Sequence, residues 1–147
     1  MKPEQMLWSK LRKHLKGYWD CTRHEDTVTS GTPDVSWGSR QVNGWLELKV
    51  ISSLPMHNTV VPVDLRPAQR VFLLNRIKAG GHCSVLIQVE KTGDCFLFDK
   101  ADQIRTLGKT LKKDTFCATA SIVTMGCLPE PERLIDVLTG YYRYGAS

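Results

Sequence analysis

From Trp45 to Ile51 the chain alternates side by side, Leu46, Leu48 and Val50 on one face and Trp45, Glu47 and Lys49 on the other. That period predicts a strand whose apolar row lies in a core and whose charged pair stands at the rim of a cleft. A shorter strand, Val35–Trp37, precedes it through a linker ending in Asn43-Gly44, a pair that supports a hairpin. Upstream, Leu7, Trp8, Leu11 and Leu15 share one helical face over residues 3–16, with Pro3 in the first turn and Gly17 as the stop. Glu4 falls on that apolar face one turn earlier. Residues 18–25 read as a strand and residues 29–32 as a turn.

Downstream, Ser52–Arg66 carries Pro55 and Pro62 and reads as an ordered excursion without a regular element. Pro67 opens a helix to about Ala79, ended by Gly80-Gly81. Cys83–Val89 is an unbroken apolar run, as expected of a strand covered on both faces. Cys95–Phe98 follows the Thr92-Gly93-Asp94 turn as its hairpin neighbour. Past Lys100 the pattern weakens, although Glu130–Tyr142 should hold a terminal helix with Pro129 and Pro131 near its start. The order helix, three strands, helix, two strands predicts an α/β fold with one central mixed sheet flanked by helices.

A chain of 147 residues suits one domain, residues 1–147, with a core over about 3–99 and an extension over about 100–147. Its net charge of +5 makes a polyanion a reasonable partner without requiring one. No apolar run is long enough for a bilayer, and the first residues lack the apolar stretch of a secretory signal. A cytoplasmic protein with no membrane contact is expected. Its cysteines, 21, 83, 95, 117 and 127, are scattered without a CxxC pair, so they read as reduced thiols rather than zinc ligands.

The candidate chemistry lies in Pro33-Asp34 and Glu47-Leu48-Lys49. Hydrolysis of a phosphodiester requires an activated water and stabilised negative charge at phosphorus. Mg²⁺ can supply both and binds through one or two carboxylates plus waters and substrate oxygens. Asp34 and Glu47 offer that pair, and a cation between them would relieve their repulsion. Lys49, two residues beyond Glu47, points the same way and can place its ammonium at the reacting phosphate. An exposed ion pair on a strand, worth under about 1 kcal/mol, is the bland alternative.

With Gly31-Thr32-Pro33-Asp34 before it, this arrangement resembles the PD-(D/E)xK nuclease superfamily, most closely its VRR-NUC and Holliday-junction-resolvase-like branch. The resemblance implies a restriction-endonuclease-like αβββαβ core and a metal-dependent DNA endonuclease. It implies Mg²⁺, with Mn²⁺ as a substitute, held by Asp34, Glu47 and the Leu48 carbonyl, with Glu25 of Arg23-His24-Glu25 and Glu4 as further acids. It assigns catalysis to Asp34, Glu47 and Lys49, with Glu25 and Gln69 assisting. Gln69 matches a glutamine that similar proteins carry on the helix after the motif strand.

Arg66 and Arg70, beside that helix N-terminus, are candidate phosphate-binding residues. Lys112 and Lys113 could track a DNA backbone farther out. The resemblance further suggests branched DNA such as Holliday junctions or flaps, a homodimer, and a phage or mobile-element origin. The competing class is a non-catalytic nucleic-acid-binding module on the same fold, which would usually lack one motif residue. His24 and His57 have no sequence neighbours that would make either a general base.

Overall fold

In the computed structural model, residues 2–24 and 31–141 are described. The elements run α1 (Pro3–His14), β1 (Asp20–Arg23), β2 (Val35–Ser39), β3 (Val42–Ile51), α2 (Pro67–Lys78), β4 (His82–Val89), β5 (Cys95–Phe98), α3 (Ala101–Thr106), α4 (Lys113–Thr119), β6 (Ile122–Thr124) and α5 (Pro131–Leu138). Six strands form one sheet in sequence order. All neighbours are antiparallel except β3 and β4, whose parallel pairing the α2 crossover allows. The expected mixed α/β sheet flanked by helices is the observed fold.

The alternation of β3 sorts the core into two layers. Leu46 and Leu48 pack with Leu7, Leu11 and Leu15 of α1 and Leu134, Ile135 and Leu138 of α5. On the other face, Trp45 and Ile51 join Val85 and Ile87 of β4, Leu73 of α2, Ile104 of α3 and Phe116 of α4. The apolar run of β4 divides between both layers, Leu86 to one and Cys83, Val85, Ile87 and Val89 to the other, as a doubly covered strand requires. In the excursion after β3, Val61, Val63 and Leu65 turn inward while Pro62, Asp64 and Arg66 stay exposed. It is tied down by Val61 N–H to the Leu111 carbonyl (3.1 Å) and Lys113 N–H to the Thr59 carbonyl (2.9 Å).

The β2–β3 hairpin turns elsewhere than the sequence suggests. Its two-residue turn is Arg40-Gln41, both with positive φ (50° and 65°), while Asn43 and Gly44 lie inside β3. Gly44 is needed there for space: a Cβ would meet the Trp37 ring at 2.3 Å and the His82 carbonyl at 2.5 Å. The left-handed residues are steadied by an ion pair from Arg40 to Asp136 of α5. Beyond residue 100, α3, α4 and β6 extend the same sheet and its α2-side layer.

Candidate active site around Asp34, Glu47 and Lys49

Strand register brings the two acids together. The ladder pairs Val35 with Leu46, so its next step, just past the end of β2, sets Asp34 opposite Glu47. Both lie on the α2 face of the sheet. Asp34 Oδ2 accepts the Leu48 backbone N–H at 2.8 Å, and the Asp34 carbonyl accepts from His24 N–H at 2.7 Å. Gly31 seats the preceding turn against α2, where a Cβ would stand 3.1 Å from the Ala68 carbonyl oxygen.

The α2 N-terminus closes over the pair through Gln69. Its Nε2 donates to Glu47 Oε1 at 3.1 Å, and its Oε1 accepts from Lys49 Nζ at 3.1 Å. The same Oε1 accepts the Arg66 backbone N–H at 3.1 Å, so the residue caps its own helix as well. Lys49 Nζ lies 3.8 Å from Glu47 Oε1. Glu47 is therefore 1% exposed and Lys49 13%, where the alternation alone had suggested an open rim.

Burial is the main reason the Glu47 carboxyl is pushed up to about 9. The neighbouring Asp34 raises it further, and Lys49 and Arg66 only partly oppose the shift. Among the described residues, Glu47 Oε2 is buried without a hydrogen-bond partner. An orphaned carboxylate oxygen beside a second carboxylate is the donor set that a hard divalent cation satisfies. The residues present thus fit such an ion: Asp34 and Glu47 would hold it, with the Leu48 carbonyl as a third oxygen. Among the described residues no further His, Cys, Asp or Glu completes a cluster of three around them.

The remaining sequence candidates divide. Arg66 is exposed at the α2 N-cap, and Lys112 is exposed at the start of α4 with Lys113 half-buried beside it. Arg70 is not a surface cation. It is 6% exposed, and its guanidinium donates to the Ile104 carbonyl, with longer contacts to the Arg105 (3.4 Å) and Leu65 (3.5 Å) carbonyls. Its charge serves the free end of α3 instead of a phosphate. Glu4 is half-buried in the first turn of α1, whose leucines pack on the opposite face of β3, and it joins no hydrogen bond of the Glu47 network. Glu25 lies outside the described residues.

Trp45 is the residue that sequence reasoning passed over. It shares the face of Glu47, and His24 and Phe72 lie against it with centroids 5.2 Å away in each case. Its place two residues before Glu47 on the same strand face was the available signal.

No protein-family model matches the chain, and no curated protein matches it significantly. Among solved structures, the chain is similar to Hjc of Archaeoglobus fulgidus, a Holliday junction resolvase from an archaeal hyperthermophile. The TM-score is 0.54 at 14% identity, over 80% of this chain and 89% of that one. At that identity the likeness is one of fold.

Proposed function

We propose that the chain is a metal-dependent endodeoxyribonuclease of the PD-(D/E)xK superfamily, acting as one nuclease domain. The observation that carries the reading is the buried Glu47 carboxyl set against the half-buried Asp34 and beside Lys49, with one Glu47 oxygen left without a partner among the described residues. A binding module needs no such group, because an unsatisfied buried carboxylate costs stability. The likeness of fold to a resolvase adds support.

Mg²⁺ bound at Asp34 and Glu47 would supply charge neutralisation and a water of lowered pKa. The protein's own groups do the positioning. Gln69 hydrogen-bonds both Lys49 Nζ and Glu47 Oε1, which tethers the ammonium beside the acid. From there Lys49 can donate to a phosphate oxygen as negative charge builds on it. Arg66, exposed at the helix N-terminus, adds a cation for a neighbouring phosphate. Lys112 and Lys113 extend the positive track.

The finer reading places the chain in the VRR-NUC and resolvase-like branch, cutting branched DNA in the cytoplasm, in a host cell if phage-encoded. Two copies about a twofold axis would present matched sites to a four-way junction. The test is cleavage of a four-way junction, a flap, a nicked duplex, linear duplex and single strand, with Mg²⁺ or Mn²⁺, by wild type and Glu47→Ala. Cutting that needs metal and is lost in the variant is expected. Retained DNA binding with no cutting of any substrate would favour the non-catalytic module. A clean monomer by light scattering on junction DNA would count against symmetric resolution.

A further inference from the structure

Starting at Trp45, two residues before Glu47 on β3, and running away from the acidic pair toward Asn43 and His82, the α2 face of the sheet carries a groove of about 300 Å³. Trp45 and Arg76 line it together with Thr22, Ser36, Asn43 and Asp20. Register sets Thr22, Ser36 and Trp45 side by side across β1, β2 and β3, so the groove is a floor of three strands with α2 as its wall. The wall is built for stacking. Arg76 lies over the Phe72 ring at 4.8 Å and over the Trp45 ring at 5.8 Å. His24 packs against Trp45 and is itself fixed by Nε2 to Ser36 Oγ at 2.8 Å.

We propose that this groove is a nucleobase subsite, holding one unpaired base of the strand whose phosphate sits at Asp34 and Glu47. The inference rests on the nuclease reading and adds its substrate class: DNA with an unpaired nucleotide next to the cut. Trp45 and Glu47 are two residues apart on one strand face, about 7 Å. A base bound at Trp45 therefore belongs to a nucleotide adjoining the phosphate at Glu47. Arg76 on the wall, over the Trp45 ring on the floor, supplies the elements of a sequence-tolerant stacking platform. The polar floor of Thr22, Ser36 and Asn43 suits base edges. Asp20 disfavours a phosphate in the groove itself, so the occupant is the base and not the backbone.

The test uses 2-aminopurine, moved one nucleotide at a time along a flap strand, bound to the full chain in EDTA so that nothing is cut. The expected result is a change of emission at one or two adjacent positions, lost in Trp45→Leu, with DNA affinity about tenfold weaker in Arg76→Ala. Arg76 is exposed, so its variant reads the groove even if Trp45→Leu fails to fold. With Mg²⁺, an unpaired nucleotide beside the cut should accelerate wild-type cleavage, and Trp45→Phe should shrink that preference. Cleavage without any position-limited signal, or a signal unchanged in both Trp45→Leu and Arg76→Ala, overturns the subsite and leaves the nuclease standing. A localised signal that both variants remove, in a protein that cuts nothing, supports the subsite while the nuclease reading falls.

Discussion

The two faces of β3 are one strand put to opposite uses. Leu46 and Leu48 are buried in an apolar cluster with leucines of α1 and α5, and that contact stabilises the fold. Glu47, between them in sequence, is just as buried, yet its neighbours are a second acid, an amide and a lysine. A residue's burial thus says little until its partners are named. The apolar face holds the strand still, so that the charged face can keep groups that would not choose one another's company in water.

Breaking the charged face should have the largest effect and leave the fold intact. Glu47→Gln keeps shape and the amide contact but removes the acid, and cleavage should fall by at least about 10²- to 10³-fold. In the absence of metal the same variant should melt no lower than wild type at pH 8, a pairing that calorimetry and a cleavage assay check together. Breaking the apolar face should do the reverse. Leu46→Ala should cost about 2–5 kcal/mol in urea unfolding, with cleavage per folded molecule nearly unchanged at low temperature.

Proton linkage sharpens the contrast. The Glu47 carboxyl sits near 9 in the fold against an ordinary 4.5, so the folded chain holds a proton that the unfolded chain releases between those values. Stability of the metal-free protein should therefore be full below about pH 4.5 as far as this group is concerned. It should fall through the window up to 9, by up to about 1.4 kcal/mol per pH unit. Melting curves across pH 5 to 9 read this directly. Glu47→Gln should flatten the slope, and Mg²⁺ should raise the melting point most at the alkaline end. The smallest effect is expected where the hairpin is pinned to α5. The Arg40–Asp136 pair is 41% and 35% exposed, so Arg40→Ala should cost less than about 1 kcal/mol, and salt should erase most of the difference.

Much of this was legible beforehand, for local reasons. The alternation of β3, the Pro67 start of α2 and the apolar run of β4 each depend on neighbours in sequence, and each appears where the pattern put it. Asp34, Glu47, Lys49 and Gln69 converge because their strand register and helix start were readable in the same way. What escaped depends on distant partners. Arg70 is buried because carbonyls some 35 residues later in the chain come to meet it. Gly44 is a glycine because Trp37 and His82 claim the space a side chain would need, and the hairpin turns at Arg40-Gln41 instead. The elements α3, α4 and β6 span six, seven and three residues, too few for a periodicity to show.

One amide gives the site a sense of direction. Gln69 Oε1 faces two donors, Lys49 Nζ and the Arg66 N–H, while Nε2 faces a carboxylate oxygen. Rotating the carboxamide by half a turn would set donor against donor on one side and acceptor against acceptor on the other. The side chain therefore works as a polarised spacer with a front and a back, telling the acid from the base a few ångströms away. A glutamate there could still serve Lys49 and the helix end, but it would bring a third carboxylate to Glu47. A methionine would fill the room and carry no orientation at all.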